Sequence, residues 1–130
     1  MPVYQLSNYE GLDDKRIEAR PFFVSDDLVA VLVTLQPHAR VPEHVHAHHD
    51  EVFDVIRGQG LFFLGDERID LGPSMTVVVP AGTRHGLLAG EEPWILRETV
   101  HRHVYARRAL KRALAKRWTW FKQMLKNKTG

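Results

Sequence analysis

The sequence predicts an all-β domain, a small barrel or sandwich, followed by one C-terminal α-helix. Between residues 17 and 100, short runs of β-branched and apolar residues alternate with turns rich in glycine and proline, which is typical of antiparallel barrels and sandwiches. Beyond residue 103 the apolar residues recur with a helical period. A chain of 130 residues forms one hydrophobic core rather than two. We therefore expect a barrel over residues 1–103 and a helix over residues 104–130.

The predicted strands follow one another at short intervals along the barrel segment. Residues 28–35 (LVAVLVTL) predict the clearest strand, because they are short, β-branched and apolar on both faces. Pro21 indicates that residues 17–24 form an edge strand or a bulged one, and Pro37 and Pro42 bracket a predicted loop. Residues 1–14 predict at most an edge strand or an arm. The remaining strands are expected at residues 51–57, 61–64, 68–71, 75–79, 85–88 and 94–100.

The C-terminal segment differs from the rest of the chain in charge. Residues 1–100 contain 8 Lys and Arg against 16 Asp and Glu, a net charge of −8, whereas residues 101–130 contain 10 Lys and Arg and no acid. On a helical wheel, taken at roughly 100° per residue, the apolar residues of the segment 104–126 gather on one face, with Arg107 at its edge. The segment is therefore predicted to be a basic amphipathic helix.

A basic amphipathic helix can have three kinds of partner: a protein surface, a membrane or a nucleic acid. We favour packing of its apolar face on the barrel or on a second subunit, because its cations complement the acidic barrel. Binding of residues 104–126 to a membrane surface is the alternative. Nucleic acid is disfavoured, because Trp118, Trp120 and Phe121 lie too close together on a helix to form a base-stacking surface.

The histidine-rich segment 42–60 holds the candidate metal ligands. Four histidines lie between positions 44 and 49 and are followed by two acids, Asp50 and Glu51. His44 and His46 are two residues apart, so on a strand both imidazoles point to one face. Imidazole and carboxylate donors without sulfur suit a divalent transition metal. The competing interpretation is a histidine-rich solvated loop that binds no metal.

Two patterns, taken together, resemble the cupin family. Residues 44–58 read H-x-H-x4-E-x6-G, which is similar to the first cupin motif, and residues 80–85 read P-x-G-x-x-H, which is similar to the second. The resemblance covers roughly residues 28–100. It implies a cupin-type jelly-roll barrel, commonly dimeric, that binds one divalent metal (Fe, Mn, Ni, Co or Zn). The ligands that it implies are His44, His46, Glu51 and His85.

Three positions depart from the family pattern. His38 and Ser74 stand where the motifs have a glycine, which affects turns, and Ala89 stands where the second motif has an asparagine. None of these changes removes an implied ligand. The pair His46-x-His48 leaves His48 as an alternate ligand, whereas the pair formed by residues 101 and 103 has no acid after it and is interpreted as surface.

The function predicted at this point has two alternatives. The chain is either a metal-dependent enzyme of oxygenase, isomerase or lyase type, acting on a small oxygenated substrate, or a non-catalytic module that binds a small ligand. Strand alternation from Glu51 and His85 predicts a mainly apolar interior, with strand 94–100 contributing either Leu96 and Glu98 or their neighbours. Arginines 40, 57, 84 and 97 are candidates for an anionic group of the ligand, with a surface role as the alternative.

Two further features of the sequence bear on redox chemistry and location. The chain has no cysteine, which excludes disulfides and thiolate ligands. No segment approaches the roughly 18 consecutive apolar residues of a membrane-spanning helix, and the N-terminal residues lack the pattern of a secretory signal. We therefore expect a cytoplasmic protein, a homodimer that binds a small-molecule ligand.

Overall fold

A computed structural model describes residues 2–11 and 15–129. These residues form a short 3-10 helix at Leu6–Tyr9, nine β-strands and one C-terminal helix, α1, at Arg102–Thr129. The strands are β1 (Ile17–Val24), β2 (Leu28–Leu35), β3 (Arg40–His44), β4 (Glu51–Arg57), β5 (Gly60–Leu64), β6 (Glu67–Leu71), β7 (Thr76–Val79), β8 (His85–Ala89) and β9 (Trp94–His101).

The strands form two antiparallel sheets with the core between them. One sheet has the order β1-β2-β9-β4-β7 and the other has the order β3-β8-β5-β6. Phe53 and Leu96 from the first sheet share one buried cluster with Phe62 and Leu87 from the second. The predicted all-β jelly-roll architecture with a C-terminal helix is confirmed.

Several predicted strands coincide with the observed ones because their local patterns are unambiguous. The bounds of β1, β2 and β4 match the predicted ranges. β1 lies at a sheet edge, and its pairing with β2 shifts register between Pro21 and Phe23. Pro21 therefore marks both an edge strand and a bulge, where a missing backbone N–H costs no ladder hydrogen bond.

The predicted loop between Pro37 and Pro42 is wrong in its second half. Residues 40–44 form β3, which pairs with β8 through Arg40 and Val41. Pro42 falls where the register of this pair shifts, on the edge strand of its sheet. The strand depends on a partner more than forty positions along the chain, so local sequence does not indicate it.

The N-terminal segment forms no edge strand within its described residues. Residues 2–5 have no regular structure and are followed by the 3-10 helix. Positions 1 and 12–14 lie outside the described residues. Tyr4 and Tyr9 lie against Phe22 of β1, so the segment packs on the outer strand through aromatic contacts rather than through a backbone ladder.

Helix α1 continues β9 without an intervening loop, since the strand ends at His101 and the helix begins at Arg102. Val104 is buried in the barrel core, and Tyr105 packs against it. Farther along the helix Leu110, Leu114 and Trp120 are exposed. The described helix thus contacts the barrel through its first turns. Over the described residues, no helix is both long and apolar enough to cross a membrane.

Two turns hold a left-handed backbone at residues other than glycine. The φ angle is +63° at His38 and +70° at Ser74, the two positions where the family pattern has glycine. The turn geometry that favours glycine is therefore retained although glycine itself is absent. Both departures from the family pattern therefore have the same consequence, which is local backbone strain at a residue that carries a Cβ atom.

Candidate metal centre

Strand pairing brings the two histidine motifs together at one end of the barrel. His44, the last residue of β3, is the register partner of His85, the first residue of β8, and their ring centroids are 4.3 Å apart. Glu51 begins β4 in the opposite sheet and is buried. His46 lies two residues beyond the end of β3. All four predicted ligands therefore converge between the sheets.

The turn of the second motif holds the histidine loop in place. The Gly82 N–H donates to the His46 carbonyl at 2.8 Å, and the Ala81 N–H donates to the Asp50 carboxylate at 2.8 Å. Asp50 thus connects the histidine loop to the turn of the second motif. These bonds explain how two segments that are distant in sequence keep a fixed arrangement at the site.

Backbone carbonyl groups fix the orientation of two of the imidazoles. His44 Nδ1 lies 2.9 Å from the Pro42 carbonyl oxygen, and His85 Nδ1 lies 3.0 Å from the Thr83 carbonyl oxygen. Because a carbonyl only accepts, each Nδ1 carries the proton. Nε2 is left as the free donor atom, in the outer-shell arrangement usual for histidine ligands of metals.

The donor atoms are close enough to share one ion. The donor atoms of His44, His46 and His85 all lie within 4.8 Å of one another. Glu51 is not one of these three mutually close residues, but its carboxylate oxygens lie beside two of them, 2.8 Å from His46 Nε2 and 3.4 Å from His85 Nε2. Both carboxylate oxygens and both of these nitrogens are buried and lack a hydrogen-bond partner of good geometry within the described chain. Buried polar atoms are rarely left unpaired, so these donors fit a bound cation.

The electrostatics of the centre favour the metal-binding protonation states of Glu51 and His44 and oppose that of His85. Burial by itself would raise the pKa of Glu51, but the adjacent His46 and His85 imidazoles lower this pKa to about 2. Desolvation lowers the pKa of His44, which favours its neutral form. Desolvation also tends to lower the pKa of His85, but the nearby Glu51 carboxylate and the Thr83 carbonyl outweigh it and raise this pKa. The raised pKa means that a proton competes with a metal for the His85 imidazole.

The additional histidines lie outside this group of donors. His48 and His49 are not among the mutually close donor atoms in the described residues. The His49 ring stacks on His101 at 4.4 Å, and His101 stacks on His103 at 4.9 Å. These three rings form a surface stack at the junction of β9 and α1, and they do not form a second group of close donors within the described chain.

The interior beside the candidate metal centre is mainly apolar, as predicted. Phe53 and Leu87 are buried, and the Phe62 ring lies parallel to the His85 ring at a centroid distance of 6.3 Å. Of the two alternatives for β9, Leu96 and Glu98 face the core. Glu98 is a buried acid, and its carboxylate lies 2.7 Å from the Arg108 guanidinium.

The four arginines proposed from the sequence do not line the cavity beside the centre. Three of them pair with acids elsewhere: Arg57 with Glu10, Arg84 with Glu43 and Asp66, and Arg97 with Asp54. The fourth, at position 40, lies over the Phe63 ring. The structure therefore favours the surface alternative for these residues.

Sequence reasoning missed two arginines that do line the cavity. A cavity of about 350 Å³ lies between the histidine loop and the first turns of α1. Its described walls include His44, His46, Val104, Arg107 and Arg108. The position of Arg107 at the edge of the predicted apolar face was the one signal that it points toward the barrel. No sequence signal indicated that the barrel wall at this point is the metal centre.

Several solved structures have a similar fold. The chain is 25% identical to the TT1209 protein of Thermus thermophilus, with a TM-score of 0.72, 78% of this chain and 97% of that one being covered. It is 28% identical to KdgF from a Halomonas species, with a TM-score of 0.65, covering 68% and 82% of the two chains. An RmlC-like cupin protein of Desulfovibrio desulfuricans, 24% identical with a TM-score of 0.68 and coverage of 78% and 96%, shares the fold.

The sequence comparison reaches the same family. No curated protein matches the chain. The sequence profile of the cupin domain matches residues 31–96, which include both histidine motifs and all four predicted ligands. Together with the jelly-roll topology, this match shows that the chain belongs to the cupin domain family.

Proposed function

We propose that the protein binds one divalent transition metal through His44, His46, Glu51 and His85. The observation that carries this proposal is the group of three imidazoles whose donor atoms lie within 4.8 Å of one another at the end of the barrel, next to the buried Glu51 carboxylate. Three imidazoles and one carboxylate suit Fe, Mn, Ni, Co or Zn. When bound, such a metal would act as a Lewis acid on an oxygen atom of a ligand.

We further propose that the protein is a metal-dependent enzyme acting on a small oxygenated organic substrate. The cavity beside the donors has the size of a small-molecule site, and the reaction types that fit are those of oxygenases, isomerases and lyases. In this proposal the chain's own residues orient the substrate and exclude water, and Phe53 and Phe62, which lie against the His85 ring, keep the core side of the donors dry. The second candidate is a non-catalytic ligand-binding module, which is favoured by the absence of any carboxylate from the described cavity wall.

Metal content is the direct test of the proposed centre. We expect the purified protein to contain about one transition metal ion per chain, and His85→Ala and His44→Ala each to reduce the affinity for Co²⁺ by roughly hundredfold or more. His48→Ala is the matched control, because this histidine lies next to the centre but outside the group of close donors. Equal Co²⁺ affinity in all four proteins would refute the assigned ligands.

Metal identity and turnover then separate the two candidate functions. Iron in the purified protein would favour oxygenase chemistry, whereas zinc, nickel or manganese would favour an isomerase or lyase. Metal-dependent turnover of a carbonyl or enol compound, lost in His85→Ala, would support the enzyme. Ligand binding with no turnover for any metal would support the non-catalytic module.

We also propose that α1 mediates homodimerisation. Leu110, Leu114 and Trp120 are exposed, and the net charge of +10 on residues 101–130 complements the −8 of residues 1–100 in a second copy. Sedimentation velocity should show a dimer that Leu110→Glu with Leu114→Glu converts to a monomer. A monomeric protein that floats with anionic vesicles would instead support the membrane alternative for residues 104–126.

A further inference from the structure

The cavity beside the candidate metal centre has walls of a single charge sign. Its described lining contains His44, His46, His48 and His49 on the loop side and Val104, Arg107 and Arg108 on the helix side, with Val45 and Ala47 completing it. No acidic side chain is among these residues. A cleft lined by one sign of charge concentrates ions of the opposite sign, and a divalent metal at its base would add to the positive potential.

Arg108 is held in the cavity wall by contacts with the barrel. Its side chain is about three-quarters buried, and its guanidinium lies 2.7 Å from the Glu98 carboxylate. It also lies over the ring of Tyr105, and its Nε is a buried donor without a partner of good geometry in the described chain. The single carboxylate of Glu98 therefore leaves hydrogen-bonding capacity on a guanidinium, which has five N–H donors.

Arg107 supplies a second guanidinium with no acidic partner in the described residues. Its side chain is exposed to the cavity mouth, so it keeps the freedom to close on a ligand. Arginine binds carboxylates through a planar, two-pronged geometry. Arg108 and Arg107 together thus present one fixed and one movable guanidinium beside the candidate metal centre.

We propose that Arg107 and Arg108 bind a carboxylate group of the small ligand that the protein holds at its metal centre. This inference rests on the proposed metal-binding function and narrows its ligand class to small organic acids. The four histidines of the wall and the proposed metal would face the other end of the same molecule. Residues 1–100 carry a net charge of −8, so the two arginines of α1 supply the positive charge that an organic acid needs beside the centre.

Calorimetric titration with malonate and its uncharged analogue malonamide tests the inference. With the Co²⁺-loaded protein, we expect malonate to bind at least about tenfold more tightly than malonamide, since a hydrogen bond to a charged group contributes on the order of a factor of ten in affinity. Arg107→Gln should weaken malonate about tenfold and leave the Co²⁺ affinity unchanged. Arg84→Gln, which removes an arginine paired outside the cavity, is the matched control and should leave both affinities unchanged.

Two further variants protect the test against a folding defect. Arg108→Gln would leave Glu98 buried without its counter-charge, so it is replaced by Arg108→Lys, which keeps the charge and loses the planar fork. The pair Glu98→Gln with Arg108→Gln removes both charges together. Each should weaken malonate binding about tenfold with an unchanged circular dichroism spectrum.

The outcomes distinguish this inference from the metal proposal. Malonate affinity that is the same in Arg107→Gln, Arg108→Lys and the unmodified protein would overturn the inference, and so would malonamide binding as tight as malonate. Failure to bind Co²⁺ would contradict the metal proposal instead. In that case the metal-free protein is titrated, where arginine-dependent malonate binding supports the carboxylate site and its absence overturns it.

Discussion

The barrel and α1 differ sharply in how they obtain their stability. In the barrel, Phe62, Trp94 and Leu96 are fully buried between two sheets, and each strand needs a partner from elsewhere in the chain. In α1 beyond Arg108, the described apolar side chains are largely exposed, with Trp120 at 62%, and the backbone hydrogen bonds are local. The barrel therefore fixes positions by packing, whereas the first turns of α1 are positioned by the barrel that they cover.

The largest expected effect comes from an identical substitution in the two regions. Leu96→Ala should lower the free energy of unfolding by about 3 kcal/mol, because it leaves a cavity in the core. Leu110→Ala, on the exposed part of α1, should change it by less than about 0.5 kcal/mol. Urea denaturation at low protein concentration measures both. Equal losses would show that Leu110 is covered and would erase the contrast between the regions.

The second test compares two C-terminal truncations, one that ends before the contacts between α1 and the barrel and one that ends after them. A protein ending at residue 103 loses Val104 from the core and the cation that pairs with Glu98, so its unfolding free energy should fall by about 2 kcal/mol. A protein ending at residue 109 keeps both contacts and should lose less than about 1 kcal/mol. If the two truncations unfold alike, the first turns of α1 do not belong to the barrel.

A smaller effect is expected at a polar contact on the outer face of the barrel. Burial tends to raise the pKa of Asp54, but hydrogen bonds from Thr76 and Arg97 outweigh it and hold this pKa below its ordinary value of 3.8. A lowered carboxylate pKa stabilises the fold above pH 3.8, and this stabilisation is lost as the pH falls through the folded-state pKa.

Asp54→Asn should therefore cost about 1 kcal/mol at pH 7, with the difference from the unmodified protein shrinking toward zero below the folded-state pKa. Thermal unfolding measured between pH 2 and pH 7 follows this change. Asp70→Asn, at an exposed position of β6, is the control. A difference for Asp54→Asn that persists unchanged at the acidic end would contradict the assigned ion pair.

The smallest effect concerns the two strained turns of the barrel. Ser74→Gly should raise the unfolding free energy by up to about 1 kcal/mol, because glycine adopts the left-handed backbone without a Cβ penalty. Gly65→Ala is the reverse exchange, at a φ of +60° with no atom within 4 Å of the added Cβ, and should destabilise by a similar amount. If the free energy of unfolding rises in Ser74→Gly and falls in Gly65→Ala, backbone strain at these turns is supported. A change in the same direction in both variants would contradict it.

Much of the barrel could be predicted because its strands carry their own signals. Residues 28–35 are apolar throughout and match β2, and the spacing between Glu51 and Gly58 sets β4. β3 could not be predicted, since its ladder depends on β8 and Pro42 suggests a loop. The relation between His44 and His85 came from a family pattern, and strand register then explains why the pattern works.

The part of the candidate site that α1 contributes could not be predicted from the sequence, for a different reason. The positions of Arg107 and Arg108 depend on the direction in which α1 leaves β9, and that direction is set by burial of Val104 in a core assembled from distant strands. Helical periodicity identified the helix but not the surface beneath its first turns. The amphipathic docking face, the homodimer and the cytoplasmic location stay predictions.

Because β9 passes directly into α1, the number of residues at this junction determines the rotation of the helix relative to the barrel. Each residue added between His101 and Val104 would turn the following helix by about 100° and advance it by about 1.5 Å. One inserted residue would thus swing both arginines off the cavity while leaving their identity unchanged. The number of residues at the junction therefore determines which side chains of α1 face the barrel. A related chain with one residue fewer at this point would present a different side chain to the same histidines.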